Sequence, residues 1–142
     1  MQIKIKRFDS DYGFEAVNDT GKIIRMDAGH ATGGHGQAFS PMQTVLAAIG
    51  GCSGIDMISI LKKQKQQIES FEMIVDGERE KDAVPAPFTA IHITYHLKGK
   101  IDQEKAQRAA DLSIEKYCSV SKTLEPTAKI TYKVTVNQGN EK

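Results

Sequence analysis

At 142 residues, 39% hydrophobic and 26% charged, the chain has enough apolar material for one globular domain with a core of its own. Its acids and bases are mixed along the whole length for a formal net charge of +1, which leaves no electrostatic footprint for nucleic acid. Residues 41–61 are fairly apolar, but Gln43, Asp56 and several glycines and serines make them a poor membrane span, so no membrane partner is expected.

Ile3 and Ile5 alternate with Lys4 and Lys6, and two further apolar runs flank the turn residues Asn18, Asp19, Thr20 and Gly21. This predicts a three-stranded antiparallel meander over residues 1–27. Residues 28–39 hold four glycines and two histidines with no apolar periodicity, and are expected to form a mobile connection. A long helix over residues 40–66 comes next. Ser40 is its N-cap, Pro41 suits the first helical position, and Gln43 stands where a capping box returns its hydrogen bond. Apolar residues occupy nearly every face of this helix up to Lys62, Lys63 and Lys65, so it is expected to be surrounded by protein.

Residues 70–136 read as ββααβ. FEMIV and IHITYHL have period-two patterning; Ile91, Ile93, Tyr95 and Leu97 share one face, while His92, Thr94 and His96 share a face expected to be solvated. Between them DGEREKDAVPAPF is charged and then proline-bearing, a long loop. Asp102 caps a helix to about Tyr117 with a stripe of Ala106, Ala109, Ala110, Ser113, Ile114 and Tyr117. Ser119 caps a shorter helix that Pro126 ends, and KITYKVTV closes the fold as a strand. The element order is βββα, then ββααβ, in one domain spanning 1–142, with a polar tail, NQGNEK, expected to fray.

The only two cysteines, Cys52 and Cys118, both lie in helical sequence, 66 positions apart. That spacing excludes a local Cys-x-x-Cys site but lets the fold bring the thiols together for redox chemistry. Two small buried hydrophobes is the other reading. A permanent disulfide is disfavoured, because the opening MQIKIKRF has no apolar signal segment and a reducing cytoplasm is expected.

Gly50, Gly51 and Gly54 surround Cys52, and each costs a helix interior about 1 kcal/mol relative to alanine. Close approach of a second helix is the expected compensation for most of them, with substrate space beside the sulfur as a secondary use. Cys52 is about three turns from its helix N-terminus, too far for the dipole, so a cation is needed to lower its pKa. Arg25 is the candidate. Asp56, one turn from Cys52 on the same face, either raises the thiol pKa, positions that cation, or pairs elsewhere in the core.

No metal site is expected from His30 and His35, whose spacing on a glycine loop lacks helical register and further ligands. GHATGGHG lacks the Gly-Lys-Ser/Thr ending of a phosphate loop, so no cofactor is indicated. There is no serine hydrolase elbow.

Ser40-Pro41-Met42 at the helix start, residues 47–56 (AAIGGCSGID) and residues 115–120 (EKYCSV) together resemble the OsmC/Ohr family of organic hydroperoxide reductases and osmotically inducible proteins, most closely an OsmC-like branch with the SPM…GGC helix. The resemblance implies an α+β, OsmC-like fold with antiparallel sheets wrapped around central helices in an intertwined homodimer. It implies a peroxidatic Cys52, a resolving Cys118, an organic hydroperoxide substrate and a dithiol reductant such as a dihydrolipoyl group. The glutamate that comes directly after the helix-opening proline in the hydroperoxide reductases is Met42 here, and Arg25 is the candidate for the family's arginine. Two alternatives stand beside this reading. One is an apolar-ligand-binding stress protein with weak or no catalysis, the other a thiol-dependent transferase using Cys52 with His35 as base.

Overall fold

The computed structural model describes residues 1–138; the last four residues of the tail expected to fray lie outside the described residues. The chain divides into two compact units, Met1–Val45 and the remainder from Leu46.

The first unit is built on the expected meander: β1 (Lys4–Arg7), β2 (Phe14–Val17) and β3 (Ile23–Met26), antiparallel in that order. Asn18 sets the second turn, its Oδ1 accepting from the N–H groups of Thr20 and Lys22, while Gly21 takes the positive φ of 80° that the turn requires. The glycine-rich connection is a folded loop rather than the loose segment expected. The buried Asp27 carboxylate accepts from the N–H groups of Ala28, His35 and Gln37 at 2.8, 3.1 and 3.2 Å. His35 Nε2 lies 2.6 Å from Asp11 Oδ2, and Gln37 Nε2 donates to Asp9 Oδ2 at 3.0 Å. A carboxylate buried next to successive backbone donors supplies the order that apolar periodicity does not.

The long helix α1 (Pro41–Lys63) starts with the expected reciprocal capping box: Gln43 N–H donates to Ser40 Oγ, and Ser40 N–H donates to Gln43 Oε1. It ends three residues earlier than expected, where Lys65 adopts a positive φ of 56° and Gln66 N–H reaches back to the Leu61 carbonyl.

In the second unit, β4 (Gln67–Arg79) pairs antiparallel with β5 (Phe88–Lys100), and β6 (Lys129–Val136) lies on the other side of β5. Both β4 and β5 are longer than their apolar patterns indicated. The pairing continues through Asp76, Gly77 and Glu78 because polar side chains at this sheet end face outward and are not buried. Gly77 is required there, since a Cβ would lie 2.5 Å from the Phe88 ring and 2.9 Å from Leu46. β6 runs parallel to β5, so the larger sheet is mixed. The helices between them form the crossover that parallel pairing needs.

β5 alternates as read: Ile91, Ile93, Tyr95 and Leu97 are buried. The opposite face is not simply solvated, because His92 and His96 each hydrogen-bond a threonine of β6, Thr131 at 2.7 Å and Thr135 at 2.8 Å. Buried with them are Ile49, Met57 and Leu61 of α1 and Ala106, Ala109 and Ala110 of α2 (Gln103–Leu112). Each large aliphatic removed from water here contributes about 1.5–3 kcal/mol.

The length and mean hydropathy of α1 would suit a bilayer span better than its composition suggested. One face, however, is packed on β4. A Cβ on Gly50 would lie 3.1 Å from Val75 and 3.2 Å from Met73, and one on Gly54 would lie 2.7 Å from Met73. The close approach these glycines permit is therefore to strand side chains, not to a second helix. Nor is α1 enclosed: Ala47, Ala48, Gly51 and Ile55 are exposed, and a Cβ on Gly51 would meet nothing within 4 Å.

Candidate functional site

Cys52 projects from α1 beside the packed stripe and is half-buried. Cys118 is reached through an irregular segment. α2 begins where expected, with Asp102 Oδ1 accepting from Lys105 N–H, but stops at Leu112. The next residues, Ser113–Tyr117, form one π-helical turn closed by Cys118 N–H donating to the Ser113 carbonyl at 2.7 Å. A π turn adds a residue to the ladder and re-aims the segment after it, a device frequent at functional sites. That segment is α3 (Ser119–Leu124), which is capped by Cys118 rather than by Ser119: the Cys118 Sγ accepts from Ser121 N–H at 3.3 Å.

The outcome is convergence. The Sγ atoms of Cys52 and Cys118 and a carboxylate oxygen of Asp56 all lie within 4.8 Å of one another. Both cysteines are free thiols. Cys118 is 3% exposed, and burial pushes its thiol up to about 11. Its hydrogen bond from Ser121 N–H works against that shift, and the neighbouring Cys52 adds to it.

Asp56 is held in place by Ser113, whose Oγ donates to Asp56 Oδ2 at 3.1 Å and also lies 3.3 Å from the Ser53 carbonyl. Of the three readings open for Asp56, the structure places its carboxylate at the thiols. Among the described residues it takes part in no ion pair. Below it, Tyr95 Oη donates to Ser53 Oγ at 2.7 Å, and Ser53 Oγ donates to the Gly50 carbonyl at 3.2 Å. The Tyr95 ring stacks on Phe71 with centroids 6.0 Å apart. Burial pushes the Tyr95 phenol up to about 12, partly offset by its bond to Ser53. It is therefore a neutral donor that fixes the backbone next to Cys52.

Two clefts flank the site. Asp56 lines one of about 460 Å³ with Ser59, Ile60, Lys63, Leu112 and Tyr117. Cys118 lines the other, about 370 Å³, with Lys116, Tyr117 and Lys122.

Arg25 is engaged within the first unit, its guanidinium bonded to Glu15 at 3.2 Å and 5.1 Å above the Phe8 ring. His35 is likewise engaged with Asp11. Sequence reading missed the roles of Ser53, Ser113 and Ser121. A signal existed: Ser113 interrupts an otherwise apolar helix stripe, and a hydroxyl in such a stripe needs a partner.

Residues 34–133 match the model of the OsmC-like protein family. The chain is 38% identical over 133 residues to the protein YhfA of Escherichia coli K12, covering 93% of this chain and 95% of that one. Among solved structures, a hypothetical protein from Aquifex aeolicus superposes with a TM-score of 0.77 at 28% identity, covering 97% of this chain and 99% of its own. An organic hydroperoxide resistance protein OsmC from Legionella pneumophila superposes with a TM-score of 0.72 at 17% identity, covering 96% and 98%. At that identity the likeness concerns the fold. The match across residues 34–133, together with the YhfA identity over nearly the full length of both proteins, makes this chain a member of the OsmC-like protein family.

Proposed function

We propose that this protein is a cysteine-based reductase that converts organic hydroperoxides to alcohols, in oxidative or osmotic stress defence in the cytoplasm. The observation that carries the proposal is the approach of the Cys52 and Cys118 sulfurs to within 4.8 Å beside a carboxylate. In this reading the Cys52 thiolate attacks the distal peroxide oxygen, the O–O bond breaks, and the alkoxide takes up a proton and leaves as the alcohol. Cys52 is left as a sulfenic acid. Cys118 attacks that sulfur, the S–S bond forms and water leaves. A dithiol, of dihydrolipoyl type by family likeness, then restores both thiols by exchange.

Cys118, with its thiol value near 11, has to lose a proton in the resolving step. The Asp56 carboxylate, held by Ser113 and within 4.8 Å of the sulfur, is the proposed proton acceptor. Oxidation of Cys52 to the neutral acid also removes a charge that opposes ionisation of Cys118. The open face of α1, with Ile55 at 68% exposure, supports a homodimer in which a second copy covers that helix. The Legionella relative's name, organic hydroperoxide resistance protein, agrees with this substrate class.

A second reading, a stress protein that binds an apolar ligand with slow or no turnover, is favoured by Met42 at the family's glutamate position and by Arg25 being paired with Glu15. Rapid mixing of the reduced protein with cumene hydroperoxide separates the two. Peroxide consumption that is abolished in Cys52→Ser and limited to about one turnover in Cys118→Ser supports the reductase. Peroxide left unconsumed by the wild-type protein supports the binder.

A further inference from the structure

We propose that the reduced site is also a metal site, in which Cys52 Sγ, Cys118 Sγ and one Asp56 carboxylate oxygen hold a zinc-class divalent cation. The proposal does not depend on peroxide reduction. It stands on the donor set and its geometry.

Zinc takes thiolate at about 2.3 Å and carboxylate oxygen at about 2.0–2.2 Å. Tetrahedral coordination with such bonds separates neighbouring donors by about 3.5 Å. Here three donors from two helical segments already lie within 4.8 Å of one another, so side-chain rotations of an ångström or so close the shell. Two sulfurs with one oxygen favour zinc and its analogues cobalt and cadmium over magnesium or calcium, which prefer all-oxygen shells.

The surroundings are those of ligands already oriented. Ser113 Oγ donates to Asp56 Oδ2 at 3.1 Å and leaves the other carboxylate oxygen free to bind. Ser121 N–H donates to Cys118 Sγ at 3.3 Å, a bond that favours sulfur in its anionic, ligating form. Asp56 and Cys118 each line a cleft, so a fourth position is reachable by water. Binding exchanges two S–H bonds for two metal–sulfur bonds and releases two protons to solvent.

One consequence is mutual exclusion with oxidation. A disulfide withdraws both sulfurs, so a two-electron oxidant such as an organic hydroperoxide expels the cation. The dithiolate and hydroperoxide, with one water, give disulfide, alcohol and two hydroxide ions.

The test is titration of metal-free, reduced, full-length protein with cobalt under anaerobic conditions, read by thiolate-to-cobalt charge transfer in the near ultraviolet and by the visible bands of four-coordinate cobalt. The expected result is saturation at one cobalt per chain and stoichiometric displacement by zinc. Asp56→Asn is expected to keep the charge-transfer bands with affinity reduced at least about tenfold. Cys52→Ser and Cys118→Ser are each expected to lose about half of the charge-transfer intensity or to bind no metal. Wild-type protein with Cys52 alkylated is expected to bind no cobalt and needs no substitution. Absence of these bands in reduced wild-type protein whose thiols titrate as free, or equal binding after alkylation of Cys52, overturns the proposal. Peroxide turnover, measured separately on metal-free protein, is free to succeed or fail without bearing on either result.

Discussion

Tyr95 on the central strand β5 donates its hydroxyl proton to Ser53, the residue next to Cys52, across a distance of 2.7 Å in the core. The phenol stays neutral, with its value near 12, so the bond is a permanent tie between the sheet and the thiol-bearing helix. Tyr95→Phe removes it and leaves Ser53 Oγ without its buried donor. We expect a loss of about 1 kcal/mol in urea unfolding, seen as a lower midpoint with an unchanged slope. An unchanged midpoint would show that the tie does not contribute.

Cys118 is expected to react late with alkylating agents. Burial is the main cause of its high value, near 11, and that cause persists when Cys52 is replaced. In Cys52→Ser, with a chelator present, iodoacetamide modification of Cys118 should accelerate about tenfold per pH unit from neutral pH past the ordinary thiol range. A rate that levels off near the free-thiol value of about 8.5 would contradict the buried, desolvated placement.

The folded loop of the first unit carries its own pH dependence. The hydrogen bond that the His35 ring donates to the Asp11 carboxylate is the main reason the His35 value is raised. The folded value lies above the unfolded one, so the pair stabilises the loop fully below the unfolded histidine value, and that contribution fades as pH rises through the folded one. NMR titration of the His35 ring should show a raised midpoint in the wild-type protein and a fall toward the ordinary value in Asp11→Asn. Coincident titrations in the two proteins would exclude the pairing in solution.

Ile55 stands 68% exposed on the open face of α1, next to Gly51, where added bulk meets nothing in the single chain. If a second copy covers that face, Ile55→Glu buries a charge in the interface and should convert the dimer to a folded monomer. Light scattering after gel filtration reads the mass directly. Equal mass for both proteins would remove Ile55 from any interface.

The parts of the fold visible in the sequence were those set by local chemistry. Ser40 with Gln43, and Asp102 with Lys105, satisfy helix termini within one turn, and the alternation of Ile91, Ile93, Tyr95 and Leu97 needs only the period of a strand. The features that escaped reading depend on partners distant in sequence. The π turn that makes Cys118, not Ser119, the cap of α3 positions the thiol opposite α1, and nothing in SIEKY announces it. The parallel pairing of β6 results from the crossover, and the use of Gly50 and Gly54 results from Met73 and Val75 on a strand 19 or more residues away. The Asp27-centred loop was hidden because its order comes from one carboxylate and backbone donors. Cys52, Cys118 and Asp56 were all legible as candidates, Asp56 by its single-turn spacing from Cys52. The serines that orient them were not, since a hydroxyl reveals its role only when its partner is known.

The most direct measurement oxidises reduced, metal-free protein with one equivalent of cumene hydroperoxide and maps its peptides by mass spectrometry without reduction. The expected product is a single intramolecular link joining the peptides of Cys52 and Cys118, with one equivalent of alcohol formed. Cys52 carried to sulfinic acid in up to about half of the chains, the most that one equivalent allows at two hydroperoxides per sulfur, while Cys118 remains a free thiol would contradict the two-thiol mechanism, because sulfurs within 4.8 Å of each other should join before a second oxidation.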